Sequence, residues 1–115
     1  MARLHRVFVY GTLMRGQRNS HFLEDAEFIG NFVTAKKYSM YDFADYPAVC
    51  LNGRHAIQGE IYAVTDRQFQ RLDDLEWYPN YYQRIEISTD FGQAWMYIVQ
   101  RGLCRGRKKI PGRWR

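Results

Sequence analysis

One stretch of this chain carries a full set of helix signals, and its position limits what the rest can build. Thr65 precedes an apolar stripe of Phe69, Leu72 and Leu75, Gln68 stands three residues after it, and Asp66 puts a negative charge in the first turn. Thr65 and Gln68 can form a capping box, each side chain satisfying a free N–H beside the other. Pro79 predicts that the helix stops near Trp77. A shorter helix through Leu23 is expected after Asn19 or Ser20, since either side chain can cap it.

Most of the remaining chain reads as strands. Val7-Phe8-Val9-Tyr10 is an unbroken apolar run, the pattern of a strand covered on both faces, and Gly11-Thr12-Leu13 follows as a sharp turn. A loop leaving a strand this way can aim several N–H groups into one concavity that attracts an anion. It can equally be an ordinary turn. Phe28-Ile29 and Phe32-Val33 flank Gly30-Asn31, which predicts a strand with a turn or bulge. Lys37–Tyr41 and Ala48–Leu51 read as further strands, separated by a turn over Asp42–Pro47 and closed by Asn52-Gly53. Ala56–Val64 alternates clearly, and Arg84–Thr89 with Ala94–Val99 forms a hairpin through Asp90-Phe91-Gly92. Strands first, one strong helix late, then a hairpin: the expectation is an α+β domain on a curved sheet.

Several chemistries are excluded by spacing. Gly11 and Gly16 are set as in a Walker loop, but Gln17-Arg18 follows where Lys and Ser/Thr are required. Ser20-His21 lacks the strand-to-helix turn of a hydrolase nucleophile. Cys50 and Cys104 belong to no C-x-x-C pair, and His5, His21 and His55 complete no metal-ligand spacing. Free thiols fit a reducing cytosol, and no apolar run approaches membrane-spanning length, so a cytoplasmic location without a membrane partner is expected.

Charge points the same way once it is located. The net +5 includes seven basic residues and no acid between Arg101 and Arg115, which leaves −2 for the first hundred residues. The basic character belongs to the tail, so nucleic acid is not the expected partner.

The most informative residue is Glu76. It lies seven positions after Phe69 and four after Leu72, on the apolar stripe, whereas Asp73 and Asp74 can reach solvent. A carboxylate facing a core is costly unless a partner or a pocket uses it, and burial raises its pKa toward the range useful for proton transfer. Two readings stand side by side. Glu76 serves a pocket, or it bonds outward at a frayed helix end to Arg71 or Arg84. Glu60, in mid-strand, reads as a structural ion-pair partner or an exposed edge residue, and Tyr78, Tyr81 and Tyr82 either wall a cleft or cap the core.

Taken in order, Val7-Phe8-Val9-Tyr10-Gly11-Thr12-Leu13, Tyr46-Pro47-Ala48-Val49, Gly59-Glu60-Ile61-Tyr62-Ala63-Val64, Leu72-Asp73-Asp74-Leu75-Glu76, Tyr82-Gln83-Arg84 and Ile110-Pro111-Gly112-Arg113-Trp114 resemble the gamma-glutamylcyclotransferase-like superfamily over nearly the whole chain. The likeness is to a small, bacterial-type member similar to the gamma-glutamylamine cyclotransferases. It implies a small mixed β-barrel with flanking helices, spanning residues 1–100 with the basic tail 101–115 as part of the same domain. It also implies a pocket beside the first strand, lined by Tyr10, Gly11, Thr12 and Leu13, with Glu76 as the acid–base catalyst. Tyr82 is expected to contribute a pocket hydroxyl that orients Glu76 or the substrate.

The implied reaction releases 5-oxoproline from a small γ-glutamyl amine or amide, the substrate's own α-amine attacking its side-chain carbonyl. It calls for no cofactor and no metal, because the nucleophile is already tethered. One departure stands out: Trp77 occupies a position where many members carry a small residue, often glycine. Two other classes of function stay in view. One is a non-catalytic small-molecule binding protein of the same fold. The other is a nucleic-acid-associated protein using the tail.

Overall fold

The computed structural model describes residues 3–114. Among the described residues, eight strands and one α-helix run in the order β1 (His5–Val9), β2 (Glu27–Val33), β3 (Tyr38–Asp42), β4 (Pro47–Leu51), β5 (Gln58–Val64), α1 (Asp66–Leu75), β6 (Tyr82–Thr89), β7 (Gly92–Val99) and β8 (Lys108–Ile110). Single 3₁₀ turns occupy Ser20–Leu23 and Arg101–Cys104. The helix begins as expected, with Thr65 and Gln68 in a reciprocal capping box.

Strand β1 sits at the centre of a five-stranded sheet of order β2-β5-β1-β7-β6, antiparallel to β5 and parallel to β7. Val7 and Val9 pack on one side with Phe69 and Leu72 of α1. Phe8 and Tyr10 pack on the other with Met40, Val49 and Ile57. Burial on both faces is why this strand is apolar without alternation. In β2 the ladder slips between Phe28 and Gly30, so the irregularity expected there is a β-bulge. The β6–β7 hairpin is longer than its sequence signals, pairing from Tyr82↔Val99 to Thr89↔Gly92.

The second sheet has three strands in the order β4-β3-β8. No ladder joins it to the first among the described residues, so the closed barrel that the resemblance implied is not present; the architecture is two open, packed sheets. Isolated bonds hold the seam where a barrel would need a continuous ladder. Tyr38 and His55 bridge, and Gln58 N–H donates to Gly112 C=O at 2.7 Å.

The tail is docked rather than left as a solvated end. Strand β8 pairs with β3, and the Gly112 backbone lies so close to Ala56 that a Cβ would come within 1.8 Å of its carbonyl oxygen. Arg101, Arg105, Arg107, Lys108 and Lys109 remain exposed on its outer side. Arg115, the last of the seven tail cations, lies outside the described residues.

Candidate active site

The end of β1, the end of α1 and the start of β4 and β6 meet around a cavity of about 350 Å³. All six residues singled out from the sequence line it: Tyr10, Gly11, Thr12, Leu13, Glu76 and Tyr82. Leu75, Trp77, Tyr46, Pro47, Tyr81 and Tyr97 complete much of the wall, with Arg18 and Asn19 on the side of the first loop.

That loop is folded by its own hydrogen bonds. Met14 N–H donates to Gly11 C=O at 3.1 Å, and Asn19 grips Thr12 twice: backbone N–H to Thr12 C=O at 2.9 Å, and Nδ2 to Thr12 Oγ1 at 3.0 Å. Asn19 thus staples the loop, whereas it makes no side-chain cap to the 3₁₀ turn that the sequence predicted it to start. The N–H groups of Gly11, Thr12 and Leu13 meet no protein acceptor among the described residues. Gly11 is required for a different reason from the one expected. Its φ is not positive; a Cβ there would lie 2.7 Å from Pro47 Cγ. Close approach to β4, not an unusual turn, selects glycine.

Glu60 anchors the far end of the loop. Its carboxylate accepts Arg15 N–H at 3.0 Å and the Tyr62 hydroxyl at 3.0 Å, and meets Arg15 Nε at 3.3 Å. It is the ion-pair partner that its strand position indicated.

Glu76 caps the C-terminus of α1 in helical geometry, its N–H bonded to Leu72 C=O. Its carboxylate makes no hydrogen bond and no ion pair among the described residues. Burial pushes its pKa from 4.5 up to about 7. Neither arginine considered as an outward partner is available. Arg84 lies 3.2 Å from Asp73 and is stacked among Phe69, Tyr78 and Trp95, while the Arg71 guanidinium lies over Phe22. Asp73, expected to face solvent, is instead held by Arg84 and by the Tyr97 hydroxyl at 2.6 Å. Pairing across the sheet thus commits Arg84, one of the two arginines considered as partners for Glu76, to Asp73.

Three of the tyrosines around the cavity, Tyr10, Tyr82 and Tyr97, are committed donors. Tyr82 gives its hydroxyl proton to Pro47 C=O at 2.8 Å, and Tyr10 gives its own to Tyr97 C=O at 2.8 Å. The expected orienting bond from Tyr82 to Glu76 is therefore not made; the Tyr82 hydroxyl is spent on the β4 backbone. Burial raises the pKa of Tyr10 and Tyr82 well above that of an ordinary phenol, reinforced by the Glu76 charge at Tyr10 and by Tyr10 and then Glu76 at Tyr82. Both stay protonated. The unpaired carboxylate is the group left to exchange a proton in this cavity.

The sequence profile of the family described as Gamma-glutamyl cyclotransferase, AIG2-like, matches residues 7–115. The chain belongs to that family. A cyclotransferase-family relative from Vibrio cholerae is 42% identical over 96 residues, which cover 84% of this chain and 83% of that protein. The solution structure of protein ytfP from Escherichia coli superposes with a TM-score of 0.77 at 36% identity, covering 95% of each chain. A crystal structure of an AIG2-like protein from Mus musculus gives a TM-score of 0.82 at 25% identity, covering 94% of this chain and 86% of its own.

Within this cyclotransferase fold, Trp77 is the local anomaly. It adopts φ 53° directly after the helix cap, with its N–H bonded to Asp74 C=O and the next N–H, from Tyr78, bonded to Asp73 C=O. This is the Schellman position, where glycine is ordinarily placed because it carries no Cβ penalty. The indole is 72% exposed and stands at the mouth of the cavity.

Proposed function

We propose that this chain is a cyclotransferase that releases 5-oxoproline from a small γ-glutamyl amine or amide, with Glu76 as general base and then general acid. The observation that carries the reading is an unpaired Glu76 carboxylate with a pKa of about 7, sharing one cavity with the unused N–H groups of Gly11, Thr12 and Leu13. An α-ammonium group titrates near about 8 when unperturbed, so the two groups are closely matched for transfer.

In this reading ionised Glu76 takes a proton from the α-ammonium. The amine's lone pair attacks the γ-carbonyl, forming the C–N bond of a five-membered ring and moving the carbonyl π electrons onto oxygen. The loop N–H groups hold that oxyanion. Collapse restores the carbonyl and expels the amine, which receives one proton from Glu76 and the second from the ring nitrogen. The products are 5-oxoproline and the leaving amine as its ammonium ion, and the carboxylate is regenerated. Because the nucleophile is tethered, positioning supplies much of the rate.

The test is 5-oxoproline release from a panel of γ-glutamyl amines and amino acids by the native protein and by Glu76→Gln. Turnover in the native protein should rise with pH through about 7, following deprotonation of Glu76. Glu76→Gln should lose about 10²-fold or more, the usual scale of general acid–base catalysis. Undiminished release by Glu76→Gln removes this residue from the reaction.

A further inference from the structure

We infer that Arg18 makes this site selective for substrates whose leaving amine carries a carboxylate, that is, for γ-glutamyl amino acids or peptides over neutral γ-glutamyl amines. The inference rests on the cyclisation reading, because it assigns the two ends of the same cavity.

Two charged side chains line that cavity, Glu76 and Arg18. They lie at different depths. Glu76 is half-buried in a cavity whose wall includes the buried Tyr10, Leu13 and Tyr82, whereas Arg18 and Trp77 are exposed. A substrate with its α-amine at Glu76 and its γ-carbonyl at the loop N–H groups has its reacting end at the bottom. Its leaving group must then extend toward the opening, where Arg18 and Trp77 are the exposed lining residues.

Arg18 is also the uncommitted cation of this region. Arg15 is bound to Glu60 and covers the Phe28 ring at 4.0 Å, Arg84 is held by Asp73, and Arg107 lies over Phe43 at 4.2 Å. Arg18 makes no ion pair and no ring contact among the described residues. Its backbone, by contrast, is fixed. Gln17 N–H bonds to Met14 C=O on one side, and Asn19 is fastened twice to Thr12 on the other. The guanidinium is therefore tethered to the same loop that supplies the amides, with its planar donors free for a carboxylate. The substrate's own α-carboxylate is a less suitable partner, since it is attached to the carbon bearing the amine and stays with Glu76 at the bottom.

The test compares γ-glutamyl-L-alanine with γ-glutamylethylamide, which differ only by the leaving group's carboxylate. The ratio of their kcat/KM values should favour the alanine compound. In Arg18→Gln that ratio should fall about tenfold, mainly through KM, the scale of an exposed charge-assisted contact. Arg18→Lys should restore part of it, and added salt should weaken the native preference. A ratio that Arg18→Gln leaves unchanged, or a native preference for the ethylamide, overturns the assignment. Should neither compound yield 5-oxoproline, the cyclisation reading fails. Calorimetric binding of the same two compounds to native and Arg18→Gln protein then decides the role of Arg18, an Arg18-dependent preference supporting it and equal affinities overturning it.

Discussion

Replacing Glu76 by glutamine should stabilise the protein, and by an amount that grows with pH. A carboxyl whose pKa is 4.5 when ordinary and about 7 in the fold binds its proton more tightly folded than unfolded. Between those values the unfolded chain has already released the proton while the folded chain retains it. Stability therefore falls as pH rises through this window and levels off above about 7. A gap of about 2.5 pKa units corresponds to about 3.4 kcal/mol at full ionisation. The carboxylate faces an open cavity, so water offsets part of this, and about 2 kcal/mol is the expected loss. The negative end of α1 acts in the same direction. Glutamine has nearly the same shape and never ionises, so urea unfolding of native and Glu76→Gln protein should nearly coincide at pH 4. By pH 8 the variant should be more stable by about 2 kcal/mol. Curves whose separation does not change between these pH values would refute a destabilised carboxylate, and with it the reason for placing proton transfer there.

Three further outcomes follow from particular contacts. Trp77→Gly should raise stability by about 1 kcal/mol in urea unfolding, because φ 53° suits glycine and the exposed indole buries little; a loss would mean that the ring packs against something essential. Gly11→Ala should cost about 1–3 kcal/mol and abolish 5-oxoproline release, since the added methyl would meet Pro47 Cγ at 2.7 Å; unchanged thermal unfolding would contradict that contact. Tyr82→Phe should cost about 1–2 kcal/mol in chemical denaturation, because it leaves the buried Pro47 carbonyl without its 2.8 Å donor; an unaltered midpoint would show that the bond contributes nothing net.

What was legible along the chain was local or periodic. The capping box at Thr65, the two-sided burial of β1, the bulge near Gly30 and the projection of Glu76 from the apolar stripe each depend on residues within a few positions of one another. The backbone enforces such spacings whatever the rest of the chain does. The likeness of ordered motifs extended this to the candidate cavity, yet it also implied a barrel that the two open sheets do not form.

Only the tertiary structure decided which side chains found partners. Asp73 reads from helical spacing as solvated; its capture by Arg84 and Tyr97 requires the β6–β7 hairpin to pack across the end of α1. Tyr82 is expected to orient Glu76 or the substrate, but β4 supplies Pro47 C=O to take its hydroxyl proton, and the same proline dictates glycine at position 11. Sequence spacing placed an acid near the core and donors near the end of a strand. Pairing across the fold then committed Arg84 to Asp73 rather than to that acid, because which charges neutralise one another depends on distances of a few ångströms between segments remote in the chain.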